Sequence, residues 1–303
     1  MIKQTLIRFI ELGYRICIKG KYAIGCLTSP KLKIMTVEKT ILYLLDGKSC
    51  ARYGDGEFKL MDNKSINFQS ANAALAQKLK DTLNCSDPDI LICLPSSLNT
   101  TSGMTERAAN YWVNFLVQNR KKWMKQLDTK RIYGDAFISR PYMDRKNKES
   151  SVQVFSAIKQ LWDKRDVVIV EGEQTRFGTG NTLLDNANNV RRILCTQKDA
   201  FEQYDLILSA IDSFSRETLI ILALGPTATV LVPPIHAKGF QALDLGHLDI
   251  EYEWYLMKTT TKVQVEGKYT NEAVVKKLVL SDDPIYREQI YLNLNAEKQI
   301  LGG

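Results

Sequence analysis

The feature that most constrains this chain is its alternation of short strand-like segments, many of them apolar runs, with longer stretches of helical periodicity. The strand candidates lie at Ser49–Tyr53, Ile90–Leu94, Arg131–Tyr133, Val167–Val170, Arg191–Cys195, Leu206–Leu208, Leu219–Leu224 and Ala242–Leu245. Helical patterns fall at 36–46, 71–84, 104–126, 151–164, 182–189 and 226–238, the last holding Pro233-Pro234, where a kink or stop is expected. Strands that read as continuous apolar runs are buried on both faces, and parallel neighbours need long crossovers, usually helical. The pattern therefore predicts an α/β fold, a mostly parallel sheet with helices on both faces, in a single domain. The expected organisation is an N-terminal helix and lead-in over 1–35, a main domain over 36–257, and a helical C-terminal extension over 258–303 packed on it.

Charge distinguishes the N-terminal segment from the rest. Residues 1–40 hold eight Lys/Arg against two acids, so +6 of the formal +7 sits there and residues 41–303 carry only +1. A charge so placed does not describe a nucleic-acid groove spread over the molecule. Over 2–19, Ile2, Leu6, Phe9, Ile10, Ile16 and Cys17 fall on one side of a helix, and Arg8, Glu11, Arg15 and Lys19 on the other. Two readings follow: a surface helix packed on its own core, or a helix lying on an anionic membrane surface. Six cysteines without a C-x-x-C pair, and no secretory signal pattern, predict reduced thiols and a cytoplasmic protein, with any membrane contact peripheral, at the inner face. Two histidines are too few for a His-rich zinc site, and no apolar run approaches the roughly 18 residues of a membrane span.

Ligands of open α/β sheets bind beyond the carboxyl ends of the strands, and four polar clusters follow expected strands. The first is Arg52-Tyr53-Gly54-Asp55-Gly56-Glu57-Phe58. If its backbone is extended, Asp55 and Glu57 point the same way, a pair of hard oxygen ligands suited to Mg²⁺ or Mn²⁺ on a diphosphate. A turn after a strand also favours Asp and Gly for its own reasons. The second is the Gly-rich stretch Glu171–Asn181, with Arg176, Gly178, Gly180 and Asn181; opening a helix, it could cradle phosphate, or it is an ordinary Gly-rich turn. It is not a Walker loop, and Leu183 stands where a dinucleotide fingerprint needs its third Gly. The third, Leu224–Thr229, sets Gly225 and Thr227 at another helix start. The fourth is Asp244–Trp254, where His247, Asp249 and Glu251 share a face in extended backbone and could bind metal or supply a base.

The segments ARYGDGEF, EGEQTRFGTGN followed by NNVRRILC, and LGPTATVL followed by QALDLGHLDIEYEW occur in this order over about 45–256. Together they resemble the bacterial family first catalogued as a domain of unknown function and later recognised as the GT-D type of glycosyltransferase. The resemblance implies a Rossmann-like domain that moves a hexose, glucose favoured, from a UDP-sugar to a glycan acceptor on protein or lipid carrier, in surface glycoprotein or polysaccharide synthesis. It also implies Mn²⁺ (or Mg²⁺) on a D-x-E motif. By motif position Glu57, Asp55 and His247 become the metal ligands, with Arg52, Gly54, Asp55, Arg176, Gly178, Gly180, Asn181, Gly225 and Thr227 around the donor. Asp249 and Glu251 become candidates for a base. The chain departs from the pattern in Thr182, where an acid is expected, in Thr196-Gln197-Lys198-Asp199, and in Pro233-Pro234. Read without the resemblance, the residues leave two other classes open: a nicotinamide-dependent oxidoreductase, and a non-catalytic binding protein.

Overall fold

The computed structural model describes residues 2–270, 272 and 283–296. Its strands are β1 (Lys33–Ile34), β2 (Ser49–Arg52), β3 (Ile90–Leu94), β4 (Ile132–Asp135), β5 (Asp166–Gly172), β6 (Asn189–Cys195), β7 (Leu219–Ala223), β8 (Ala242–Asp244) and β9 (Ile290–Asn293). The helices are α1 (Ile2–Thr28), α2 (Val37–Leu45), α3 (Asp55–Met61), α4 (Ala73–Leu83), α5 (Glu106–Met124), α6 (Ser150–Lys159), α7 (Tyr204–Ile211), α8 (Pro226–Ala237), α9 (Leu248–Leu256) and α10 (Pro284–Gln289). The strands form one nine-stranded sheet, all parallel, in the order β1-β4-β3-β2-β8-β7-β5-β6-β9.

This order explains the layers. Connections that step toward β1 carry α3, α4, α7 and α8, which pack on one another, whereas connections that step the other way carry α2 and α6, which form a second group. Right-handed crossovers place these groups on opposite faces. Strands β3 and β7 are buried along their whole length, as sheet covered on both sides requires. Phe58 of α3 stacks on Trp123 of α5 with ring centroids 3.6 Å apart, and the Tyr53 hydroxyl donates to Leu79 O at 2.6 Å. These contacts fix the start of α3 over the end of β2.

Several expectations are corrected. Leu206–Leu208 is no strand but the middle of α7; three apolar residues cannot by themselves separate strand from buried helix. No helix occupies 182–189: turns lead into β6, which starts at Asn189. Helix α8 runs through Pro233 and Pro234 to Ala237. Two interior prolines cost about 3 kcal/mol each. Val230, Leu231, Val232 and Ile235 are all buried, and at ~1.5–3 kcal/mol apiece they offset that loss. The N-terminal helix continues nine residues past the expected end at 19, to Thr28, although the side chains of residues 2–12 and of Arg15 lie outside those described. Within 258–303, the described residues form an irregular run to Thr270, then α10 and the edge strand β9 beside β6; residues 271, 273–282 and 297–303 lie outside the described set.

Candidate functional site

A cleft of about 890 Å³ opens over the carboxyl ends of the strands. It takes Arg52 from β2, Pro95 after β3, Gly172 from β5, Thr196 after β6, Gly225 after β7 and Asp244 from β8. The central strands β2 and β8 are neighbours whose outgoing connections lead to different parts of the sheet, the position where such folds bind ligands.

Arg52 organises the floor. Its Nε donates to Asp244 O at 2.5 Å, Nη2 to Asp244 Oδ1 at 2.7 Å, and Nη1 to Ser139 Oγ at 2.5 Å. The expected extended backbone at Asp55-Gly56-Glu57 is instead the first turn of α3, with Gly54 as its N-cap. Two residues in a helix diverge by about 200°, so the carboxylates do not point together. Asp55 accepts from Lys59 Nζ and from the Tyr111 hydroxyl, each at 2.6 Å. Glu57 turns back, and its Oε2 accepts from Gly54 N at 2.7 Å, half of a capping box. Burial, reinforced by the Asp244 charge, pushes the Glu57 carboxyl up to about 7 against the Gly54 hydrogen bond.

The cluster after β8 is likewise helical, not extended. His247 is the N-cap of α9, and Asp249 and Glu251 lie in its first turn. Asp249 borders the cleft but is enclosed: it accepts from Gly178 N (2.9 Å), Asn181 Nδ2 (2.8 Å) and Lys268 Nζ (2.8 and 2.9 Å). Glu251 leaves the cleft altogether. Its Oε2 accepts from Tyr142 N (2.9 Å) and Met143 N (2.7 Å), and burial pushes its carboxyl up to about 7. His247 does reach the cleft, and its buried Nε2 has no hydrogen-bond partner. Burial and then the Arg140 charge lower its imidazole to about 3, so it is neutral at physiological pH.

The Gly-rich stretch opens no helix, which corrects that expectation, and several of its polar groups bond within the fold. Phe177 N donates to Glu171 Oε2 at 2.6 Å, and Asn181 Nδ2 reaches Glu253 Oε1 at 2.7 Å as well as Asp249. Arg176 is 7% exposed, stacks over Tyr286 at 4.9 Å and does not border the cleft; nor do Gly178, Gly180 or Asn181. From this stretch the cleft receives Gly172 and Thr175. Gly225 is required at its place: φ is +55°, and a Cβ there would sit 2.4 Å from the Phe68 ring. Thr227 is fully buried beneath it and bonds Gln69 at 3.4 Å, outside the cleft.

An ion cluster missed by sequence reasoning lines one side of the cleft. Arg140 Nη2 lies 2.5 Å from Glu272 Oε1, Lys262 pairs with the other Glu272 oxygen, and Lys262 Nζ is 3.4 Å from Asp144. Burial would raise the Glu272 carboxyl, but the charges of Arg140 and Lys262 outweigh it and hold it far below the ordinary range. These residues lie at distant positions in irregular segments, so no local spacing announces them. Among the described residues, the one group of three or more acids, His or Cys with mutually close ligand atoms is Asp87, Asp89 and His236, at the opposite end of the sheet. Asp55, Glu57 and His247 are not drawn together in that way in the ion-free chain.

A parallel α/β sheet with a charged cleft across β2 and β8 has the architecture of a protein that binds its ligand at the carboxyl ends of the strands. The model of the glycosyltransferase GT-D fold matches residues 50–273, and the chain belongs to that family. It is 34% identical over 270 residues to the probable glycosyl transferase Gly of Streptococcus gordonii, covering 88% of this chain and 39% of the relative. With glycosyltransferase GlyD of Streptococcus pneumoniae serotype 4 it shares 33% over 262 residues, 86% of this chain and 32% of that one. The chain thus spans only about a third to two fifths of the length of these relatives. Among solved structures, the domain of unknown function 1792, described as a distinct glycosyltransferase fold, superposes with a TM-score of 0.85 at 35% identity, covering 90% of this chain and 99% of that one. A glycosyltransferase of the same domain type from Streptococcus sanguinis gives 0.83 at 35% identity, over 87% and 100%.

Proposed function

We propose that this chain transfers a hexose, with glucose the favoured sugar, from a UDP-sugar to a glycan acceptor on a protein or lipid carrier, in surface glycoprotein or polysaccharide synthesis. The observation that carries the reading is the placement of Arg52, Gly54, Asp55 and Glu57 in the cleft over β2 and β8, in a chain of the GT-D family.

A divalent cation suits this donor set. The orphaned His247 Nε2 is a neutral nitrogen donor, and Glu57 is a carboxylate that a nearby cation would keep ionised. Nitrogen plus oxygen favours Mn²⁺ over Mg²⁺. Asp55 joins them only by exchanging Lys59 and Tyr111. The ion, when bound, would neutralise charge gathering on the departing diphosphate. Arg52 and the backbone at Gly54 and Gly225 would meet the phosphates, with the start of α8 adding N–H groups and a positive dipole end. Asp249 and Glu251 brace the walls and carry no proton for the transfer in this reading.

The test is release of UDP from a panel of UDP-sugars by the purified protein, with Mn²⁺ or with EDTA, beside Glu57→Ala. Metal-dependent release from one donor, reduced by at least about a hundredfold in the variant, supports the reading and names the sugar. Equal release with EDTA, or from Glu57→Ala, overturns the metal assignment.

A further inference from the structure

The two readings of the N-terminal helix are separated by which face it turns to the body. From residue 13 onward α1 packs against α5 through Tyr22, Gly25 and Cys26: the Arg120 guanidinium lies 5.4 Å from the Tyr22 ring centroid, and its Nη2 is 3.1 Å from Cys26 Sγ. The opposite face is apolar. Measured from Gly20 at 100° per residue, Gly13, Ile16, Ala23, Ile24 and Leu27 all fall within about 60°. Ile16, Ile24 and Leu27 are 64%, 62% and 86% exposed. Lys19 and Lys21, both exposed, stand about 100° to either side of the same centre line.

A helix that packs by a narrow polar-aromatic face and turns a wider apolar face outward, with cations along both borders, has the cross-section of an in-plane interfacial helix. Net charge complements it: +6 of the chain's +7 lies within residues 1–40, including exposed Lys31, Lys33 and Lys39 just beyond the helix. We infer that the outer face of α1 docks the protein on an anionic lipid surface, the apolar stripe entering the acyl boundary and the lysines meeting headgroups. Among the described residues no helix is long and apolar enough to cross a membrane, so the contact is peripheral. Helix α5 is the shared support, bearing α1 through Arg120 and lining the cleft through Arg107, Tyr111 and Trp112. The inference stands apart from the proposed reaction.

Flotation of the full chain with phosphatidylcholine vesicles, and with vesicles rich in phosphatidylglycerol, tests it. Binding is expected to the anionic vesicles, to fall with added salt, and to drop at least about tenfold in Ile16→Asp/Ile24→Asp/Leu27→Asp. That variant is expected to melt close to the parent chain, because these side chains are mostly exposed. Negligible flotation of the parent chain, or equal flotation of the variant, overturns the inference. So does light scattering that finds a dimer broken by the same variant, since the occupant would then be a second copy.

Discussion

Two stretches of this chain carry the same D-x-E spacing, Asp55-Gly56-Glu57 and Asp249-Ile250-Glu251, and each opens the helix that follows one of two adjacent strands, β2 and β8. Their surroundings separate them. The first pair faces the cleft, with Asp55 held by a lysine and a tyrosine hydroxyl at its edge. The second pair is sealed: Asp249 is clamped by Lys268, Gly178 and Asn181, and Glu251 ties the 142–143 turn to α9. A helix sends carboxylates two positions apart in opposite directions, so what meets each one decides its role. The comparison teaches that the motif's spacing marks a helix start, and that its partners mark a site.

The largest effect expected is at the sealed pair. Asp249→Asn leaves the Lys268 ammonium, 5% exposed, with Glu253 as its one carboxylate, and should cost about 3 kcal/mol in urea unfolding. Adding Lys268→Met should recover much of that loss, and a fully additive double variant would deny the coupling. Next is Glu251, whose folded carboxyl titrates near 7 against an ordinary 4.5. A raised carboxyl pKa contributes stability that is whole below the unfolded value and is lost as pH climbs through the folded one. Relative to Glu251→Gln, the parent chain should therefore weaken between about pH 4.5 and 7, by on the order of 1–3 kcal/mol. A pH-independent difference in melting would place Glu251 in a wetter setting. The smallest effect is Tyr111→Phe at the open pair, which frees Asp55 of one donor. It should shift stability by roughly 0.5–1 kcal/mol and apparent Mn²⁺ affinity by only a few fold, read by metal titration.

Much of the sheet was legible because buried parallel strands announce themselves. Ile90–Leu94 was read at its observed bounds, and Ser49–Tyr53 missed β2 by one residue. The edges were not: β1 has two residues, and β9 pairs with β6 from nearly a hundred residues away, a register that tertiary packing alone supplies. The site was legible in part. Arg52, Asp55, Glu57, Gly225 and His247 border the cleft, whereas Arg176 and Asn181 bond to neighbouring side chains away from it. Polar residues beside glycines at a strand end look alike whether they meet a ligand or one another. Lys262, Lys268 and Glu272 were invisible, because the irregular segment that carries them has no periodicity to read and is placed by long-range contacts: ion pairs, buried Val265, and Tyr269 N donating to Gln174 O.

The difference between the two D-x-E pairs can be measured directly by calorimetric titration of UDP, with and without Mn²⁺, into the parent chain, Glu57→Gln and Glu251→Gln. The account predicts that Glu57→Gln weakens Mn²⁺-dependent binding at least about tenfold, while Glu251→Gln stays within about twofold of the parent chain. Unchanged binding by Glu57→Gln, or binding lost in Glu251→Gln while its melting temperature holds, would contradict it.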